Sequence, residues 1–178
     1  MGKAHRIQRV SSIMRSLCLV LALLAPSAVA LIWLRFDSFA TMIVGINQLP
    51  FRPQDIDAST RLMGFIIHMI PGGVAVYALL QGRRLFGLYS EGKIFTLENT
   101  RRLSNIARAL IVYTLAMPLM RTALSVLLTL HKPLGERHLV ISISSDDIGL
   151  LFIGTGLLVI TWIMDEGRKL AEDNAQIV

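Results

Sequence analysis

Four apolar runs, each long enough to cross a lipid bilayer, constrain the fold of this sequence more than any other feature. The runs cover residues 16–34, 62–82, 109–130 and 148–164. A transmembrane helix needs about 20 residues, within a range of about 17–25. Because a segment in lipid must satisfy its own backbone hydrogen bonds, each run predicts an α-helix. The chain is therefore predicted to be an all-α, polytopic membrane protein of one domain, with its four helices in an up-down bundle.

The composition of the 178-residue chain supports lipid as the solvent for much of its surface. It is 53% hydrophobic and 17% charged, whereas a soluble domain is about 45–50% apolar and about 25% charged. In a soluble protein the net charge of +6 would suggest nucleic-acid binding. Here the charges fall almost entirely between the apolar runs, so no direct nucleic-acid binding is expected. The single cysteine, Cys18, excludes an internal disulfide.

The distribution of lysine and arginine predicts which helix ends face the cytoplasm. Four basic residues and no acid precede the first run, and six more basic residues lie between the second and third runs. In the two remaining loops, residues 35–61 and 131–147, basic residues are balanced by acids. Basic residues accumulate on the cytoplasmic side of membrane proteins. Both termini, the segment 83–108 and the tail 165–178 are therefore predicted to be cytoplasmic.

The N-terminal segment has a competing interpretation as a cleaved signal peptide. A basic stretch, an apolar stretch and the small-residue pattern at residues 28–30 match such a signal. The apolar run nevertheless continues through residues 31–34. We therefore interpret this segment as a retained first span.

The segment between the second and third runs carries the signals of a helical hairpin. Gly92 suits the left-handed residue that ends a helix, and Thr96 suits the N-cap of the next helix. Glu98 falls in the positive first turn of that helix and is spaced i, i+4 from Arg102. Folding the arms about Ile94 places Arg83 and Arg84 level with residues 104–108. Helices two and three are thus predicted to extend beyond the membrane as a cytoplasmic hairpin.

Two interpretations of this hairpin stay open. In the first, Arg83, Arg84 and Arg108 anchor the protein at the lipid headgroups. In the second, the hairpin docks a cytoplasmic partner through a set of five residues. These are Lys93, Phe95, Glu98, Arg101 and Arg102. The tail beyond residue 164 is amphipathic and acidic, so an extension of the fourth helix is expected to lie against the hairpin, with ion pairs worth about 0–1 kcal/mol each.

The hairpin motif resembles the hallmark of a family of bacterial four-span membrane proteins, catalogued as domain-of-unknown-function family 2975. The matching residues are Gly92, Ile94, Phe95, Thr96, Glu98 and Asn99. The ending EDNAQIV and the stretch SISSDDIGLLFIG are also similar to that family, so the resemblance covers essentially the chain after the first span. It implies a four-span bundle in the bacterial cytoplasmic (inner) membrane and no known activity. Relatives are often encoded beside a small helix-turn-helix regulator, which implies a cytoplasmic regulator as partner by association.

Two ionisable side chains lie inside the runs, where a charge costs at least about 2.5–3.5 kcal/mol. Arg121 shares a helix face with Ser125, and His68 lies at a similar depth. Asp146 and Asp147, at the start of the fourth helix, are placed to supply carboxylates. One interpretation is structural, with Arg121 paired to one of these aspartates or reaching the outer headgroups. The other is a small outward-facing polar pocket that binds an anion or passes a proton.

Other recognisable sites are missing from the sequence. It has no phosphate-binding loop, no serine-hydrolase elbow and no zinc-protease motif, so we expect neither an enzyme nor a cofactor. The spacing of His131, Glu136 and His138 matches no standard zinc site. In the outer loops, the pattern predicts a short interfacial helix at residues 39–46. The alternating stretch HLVISIS predicts a short strand at residues 138–144.

Together these features favour a non-enzymatic inner-membrane accessory or sensor protein. It is expected to engage a cytoplasmic regulator through the basic hairpin and the C-terminal extension. The alternative is a small transporter or channel subunit that uses Arg121 and His68, which would require a homo-oligomer to enclose a path.

Overall fold

The computed structural model describes residues 3–39, 56–94, 96–133 and 135–175, which fold into four long α-helices. They are α1 (Lys3–Leu34), α2 (Ala58–Ser90), α3 (Leu97–Thr129) and α4 (Ser145–Ala175). Each contains a stretch long and apolar enough to cross a membrane. No strand occurs among the described residues. The predicted all-α fold with four candidate spans is confirmed.

Within the described ranges, extensive packing joins only helices that follow each other in the chain: α1 with α2, α2 with α3, and α3 with α4. Neighbours run antiparallel. A Cβ on Gly82 would lie 3.3 Å from Cys18 Sγ, and one on Gly92 would lie 3.3 Å from Gln8 Nε2, so α1 descends as α2 ascends. The up-down order is as predicted, but the helices form an open series in which α4 rests on α3.

All four helices continue beyond the apolar runs at the same end of the molecule. We call this the basic end, comprising residues 3–15, 83–94, 96–108 and 165–175; the opposite end, with residues 35–39, 56–61 and 130–147, is the loop end. The helical hairpin predicted from the sequence is part of the basic end. It forms one helical projection together with the first turns of α1 and the last turns of α4.

The α2 helix ends in a Schellman motif. The backbone N–H of Lys93 donates to Leu88 O at 3.0 Å, and that of Gly92 donates to Tyr89 O at 3.1 Å. Gly92 has φ +77°, the left-handed conformation that glycine adopts without strain. Its predicted role as the residue that ends the helix is confirmed.

The α3 helix begins at the predicted cap. The Thr96 side chain accepts a hydrogen bond from Asn99 N at 3.3 Å. The side chain of Asn99, which is 1% exposed, donates from Nδ2 to Lys93 O at 2.7 Å. The end of α2 and the start of α3 are therefore held together by backbone and side-chain hydrogen bonds, which makes the hairpin tip a fixed turn.

At the loop end, Asp57 caps α2. Its carboxylate accepts hydrogen bonds from Ser59 Oγ at 2.5 Å and from Thr60 N at 3.0 Å. These bonds, with that of the Ser59 hydroxyl the largest, lower the pKa of Asp57 to about 2. An ionised carboxylate at this position also suits the positive end of the helix dipole.

The best-packed core lies near the loop end. Its buried members come from α1, the turn that follows it, residue 56 and the last turns of α3: Trp33, Phe36, Ile56, Met120, Leu124, Leu127 and Leu128. The Trp33 and Phe36 rings stack at 5.3 Å. The backbone of Gly64 packs directly on the Trp33 indole, because a Cβ there would overlap the ring. Close helix approach at this point therefore depends on glycine.

Large apolar side chains cover the outside of the helices. Leu34 is 80% exposed, Leu119 72% and Phe152 80%. In water each such side chain would forgo about 1.5–3 kcal/mol of burial free energy. This surface fits lipid as the surrounding medium.

Two expectations for the outer loops have different outcomes. The interfacial helix predicted at residues 39–46 lies, after Phe39, outside the described residues, while residues 36–39 form a single helical turn. The strand predicted at residues 138–144 is wrong, because that segment is extended but pairs with no other strand in the described chain.

Candidate functional site

Arg121 and Asp147 form a two-pronged ion pair that ties α3 to α4 near the loop end. Arg121 Nη1 donates to Asp147 Oδ2 at 2.5 Å, and Nη2 donates to Oδ1 at 3.1 Å. The Asp147 side chain is 6% exposed and that of Arg121 is 27% exposed. Bidentate arginine–carboxylate pairs are among the stronger hydrogen-bonded contacts in proteins. Of the two predicted partners, Asp147 is engaged, whereas Asp146 is exposed.

Asp147 is also part of the cap that begins α4. Its Oδ2 accepts a hydrogen bond from Ser144 N at 2.8 Å, and its own N–H donates to Ser144 Oγ at 3.3 Å. This reciprocal pattern is a capping box with aspartate in the third helical position. The spacing Ser144-x-x-Asp147 was therefore a signal in the sequence that distinguished Asp147 from Asp146.

The extended segment 138–142 runs along a polar stripe of α3, and this explains why no strand pairing occurs. Val140 N donates to Ser125 Oγ at 3.0 Å, and His138 N donates to Thr129 Oγ1 at 3.2 Å. Arg121 Nη1 also donates to Ser142 O at 3.3 Å. Four residues of a helix and two residues of an extended chain both advance about 6 Å. Side chains of α3 therefore bond every second residue of the segment, in place of a partner strand.

The alternating sequence of this segment follows from the same arrangement. Its large apolar side chains at alternate positions remain exposed: Leu139 at 65%, Ile141 at 72% and Ile143 at 68%. Thr129 and Ser125, at 0% and 1% exposure, are the residues of α3 that sequence reasoning had not assigned a partner. Their four-residue spacing with Arg121 was the available signal.

His68 is not joined to this ion pair. It is half-buried on α2, and its Nδ1 is buried without a hydrogen-bond partner among the described residues. Arg121 is already bonded to Asp147 and Ser142. The four residues predicted for a polar pocket are thus not assembled into one hydrogen-bonded site.

Histidines and acids do not cluster as a metal site in the part of the chain that the structure describes. This includes His131, Glu136 and His138 in the second outer loop. Of these, His138 takes part in the α3 contact through its backbone.

At the basic end, the hairpin and the C-terminal extension line a common groove, which we call the α3–α4 groove. It has a cavity volume of about 440 Å³. The residues that matter for its chemistry are Arg101, Asn105 and Arg108 from α3, with Trp162, Asp165 and Arg168 from α4. Trp162 is 62% exposed, so the groove offers an aromatic surface next to basic side chains.

The charges of the α3–α4 groove are unevenly paired. Arg168 donates to Glu172 at 2.5 Å and to Asp165 at 3.1 Å, and Lys169 contacts Asp165 at 3.1 Å. The described acids of the tail, Asp165, Glu166 and Glu172, are thus paired within α4, and not with the hairpin as expected. Arg101 and Arg108 are exposed and have no ion-pair partner among the described residues.

A second basic cavity, the arginine groove, lies between α1, α2 and α3. It has a volume of about 300 Å³ and is lined by Arg15, Arg83, Arg84 and Arg102, with Glu91 and Glu98. Arg102 donates to Glu98 at 3.1 Å, the i, i+4 contact predicted from the sequence, and to Gln81 at 3.1 Å. This register places Arg83 and Arg84 beside Glu98 and Arg102. The expectation that they lie level with residues 104–108 is therefore wrong, because the tight turn shifts the arms.

The hairpin tip carries the remaining residues of the predicted docking set. Lys93 Nζ contacts Glu91 Oε2 at 2.8 Å. This hydrogen bond lowers the pKa of Glu91 and raises the pKa of Lys93. Phe95 lies outside the described residues. Lys93 and Glu98 are both exposed, and both are already paired.

The predicted family is confirmed by comparison with known proteins. A family model described as a protein of unknown function, DUF2975, matches residues 18–178. The chain belongs to the DUF2975 family. No curated protein and no solved structure matched it. Family membership and the four apolar helices together establish a multi-pass membrane protein, and neither supplies an activity.

Proposed function

We propose that this DUF2975 protein is a non-enzymatic accessory or sensor protein of the bacterial cytoplasmic membrane, and that it holds a cytoplasmic regulator at the α3–α4 groove. The observation that carries the proposal is the meeting of two unpaired arginines, Arg101 and Arg108, with the exposed Trp162 in one groove. The excess of basic residues at this end supports a cytoplasmic location for it.

The chemistry of the groove favours a partner segment that is acidic and carries one apolar anchor. Arg101 and Arg108 lie seven residues apart on α3, two helical turns, or about 10 Å. A partner helix with acids at a matching spacing would pair with both. Buried aromatic and arginine side chains are the usual anchors of protein interfaces, and Trp162 with these arginines supplies both kinds.

The hairpin is suited to relay a change in the membrane because it is continuous with α2 and α3. Hydrogen bonds at Gly92 and Asn99 join the two arms, so we expect the arms to move together. A shift of the spans in the bilayer would therefore reposition the groove. A helix-turn-helix regulator is the partner that the resemblance to family 2975 implies.

No specific observation supports the alternative function, a small transporter or channel subunit. Its central residue, Arg121, already has a carboxylate and a backbone carbonyl as partners. We assign this ion pair a structural role, holding α4 and the second outer loop on α3.

A crosslinking pull-down from native membranes tests the proposal. The comparison is between the wild type and a variant carrying Arg101→Glu and Arg108→Glu, which reverses the groove charge. The matched control carries Arg6→Glu and Arg9→Glu, two exposed arginines of α1 with no ion pair in the described chain. A soluble regulator that is captured by the wild type and the control, but not by the variant with Arg101→Glu and Arg108→Glu, would support docking at the α3–α4 groove. Equal recovery from all three proteins would refute it.

A further inference from the structure

The arginine groove carries more positive charge than its surroundings neutralise. Both of its carboxylates have partners, since Glu98 is bonded to Arg102 and Glu91 to Lys93. In contrast, Arg15, Arg83 and Arg84 form no ion pair within the described ranges. Arg15, Arg83 and Arg84 thus share one cavity in which Glu91 and Glu98 are hydrogen-bonded to other cations, and the arginines of the lining outnumber its carboxylates by four to two.

The groove is built by the close approach of α1 to α2. A Cβ on Gly87 would lie 3.9 Å from the guanidinium carbon of Arg15, so the absence of a side chain at Gly87 leaves room for that arginine against α2. On the other wall, Gln81 and Glu98 fix the guanidinium of Arg102 with bonds of 3.1 Å each. Arg102 is therefore held in place by its partners, whereas Arg15, Arg83 and Arg84 remain available to a ligand.

An apolar groove adjoins the arginine groove on the same face of α2. It has a volume of about 530 Å³ and is lined by Ile70, Gly73, Val74 and Tyr77 of α2 and by Asn105, Arg108, Ala109 and Val112 of α3, so its lining is mainly apolar but includes one arginine and one asparagine. The α2 positions 70, 73, 77, 80, 84, 87 and 91 are spaced three and four apart and line one or other of these two cavities. Residues with this spacing lie on one helix face, so the two cavities lie end to end.

The arginine groove and the adjoining apolar groove match the headgroup and the acyl chain of a phospholipid. The apolar groove belongs to a candidate membrane span, and the arginines follow where the apolar run ends. Basic pockets between transmembrane helices on the cytoplasmic side bind anionic lipid headgroups. Arginine recognises phosphate oxygens through paired N–H groups.

We propose that the arginine groove binds the phosphodiester headgroup of an anionic phospholipid through Arg15, Arg83 and Arg84, with an acyl chain in the adjoining apolar groove. An acidic protein segment would be drawn to the same charges, but it would have no use for the apolar groove at membrane depth. The lipid occupies both surfaces.

Native mass spectrometry of the full-length protein, released from detergent micelles, tests this assignment with dioleoylphosphatidylglycerol as the probe. The groove variant carries Arg15→Gln, Arg83→Gln and Arg84→Gln, and the control carries Arg6→Gln, Arg9→Gln and Arg35→Gln at exposed arginines without an ion pair in the described chain, so both lose three charges. Each arginine that contacts the headgroup is expected to contribute about fivefold in affinity for anionic lipid. We expect the groove variant to bind the lipid on the order of 100-fold more weakly, and the control to bind within about twofold of the wild type.

A substitution without a change in charge tests the acyl-chain part and covers the case in which the groove variant fails to fold. A Cβ on Gly73 would meet nothing within 4 Å, and the same holds for Gly156 on α4. Gly73→Leu is expected to fill the apolar groove and weaken lipid binding, whereas Gly156→Leu is expected to leave it unchanged.

Three results would overturn the assignment. Equal weakening by both triple substitutions would mean that bulk charge attracts the lipid. Full retention of the lipid by the groove variant would place it elsewhere. Displacement of the lipid by soluble glycerol phosphate at equal concentration would identify a free-anion site instead. Because the groove variant leaves Arg101 and Arg108 intact, its outcome is independent of the pull-down that tests regulator docking.

Discussion

The ion pair between Arg121 and Asp147 allows the most quantitative prediction. We expect Asp147→Asn to destabilise the protein because it leaves a largely buried guanidinium without its carboxylate. Removing one partner of a buried pair costs about 3–5 kcal/mol. Arg121 keeps 27% of its side chain exposed and its long stem can turn towards the bilayer surface, so we expect a loss somewhat below that range, at about 2–3 kcal/mol.

A double-mutant cycle separates the pair from the cap. Asparagine at position 147 can still accept the hydrogen bond from Ser144 N, so the cap is largely kept. Arg121→Gln removes the other charge and leaves Asp147 at the favourable N-terminus of α4. If the charges interact directly, the double variant will be less destabilised than the sum of the two single variants, by about 2 kcal/mol.

Reversible unfolding in mixed detergent micelles, followed by far-ultraviolet circular dichroism, measures these free energies. Asp146→Asn is the matched control, since Asp146 is an adjacent and exposed aspartate without an ion pair in the described chain; it should change stability by less than about 0.5 kcal/mol. A coupling energy below about 0.5 kcal/mol would mean that the two side chains contribute independently, which is incompatible with a stabilising ion pair.

Three further predictions concern the helices themselves. Gly64→Ala should destabilise the α1–α2 contact by about 1–3 kcal/mol in the same unfolding assay, because its methyl group overlaps Trp33, whereas Gly73→Ala should not. Gly92→Ala should cost about 1–2 kcal/mol, since φ is +77° there; an unchanged unfolding midpoint would argue against a fixed turn. The cap by Asp57 should be present above pH 3.8 and lost as pH falls through about 2, its folded-state pKa; hydrogen exchange at the start of α2 should accelerate over that interval, and an Asp57→Asn variant should show no such pH step.

The sequence predicted the helices and the hairpin turn because both depend on local chemistry. Long apolar runs must be helical in lipid, and Gly92 and Thr96 act through backbone groups within six residues of themselves. The ends of the helices followed less directly. Each helix extends into a polar segment, and the length of the apolar run does not show where in that segment the helix ends.

Contacts between distant segments were predicted less well. The stretch HLVISIS alternates as a strand does, and only the spacing of Ser125 and Thr129 on α3 shows that a helix satisfies its backbone. The serial packing of the helices could not be predicted, because apolar faces that contact lipid and apolar faces that contact protein have similar compositions. Arg15 was likewise not assigned to a site, since nothing local places it against Gly87.

For the candidate sites too, residues marked by local sequence were predicted, and residues brought together by helix packing were not. Arg121 was recognised because a charge inside an apolar run requires a partner. In contrast, the α3–α4 groove depends on which faces of two helices meet, and Trp162 falls within the apolar run 148–164, where the sequence does not distinguish it from residues that face lipid. Arg83 and Arg84 were identified as a basic pair, but their position relative to Arg102 depends on the tight turn.

Site-specific photocrosslinking from α4 tests the proposed docking most directly. A photoreactive amino acid would replace Trp162, which lines the α3–α4 groove, or Phe152, which is even more exposed but lies deeper within the apolar run. We expect position 162 to crosslink to one soluble regulator, Arg101→Glu with Arg108→Glu to abolish this adduct, and position 152 to give no protein adduct. The same soluble adduct from both positions, or none from position 162, would contradict it.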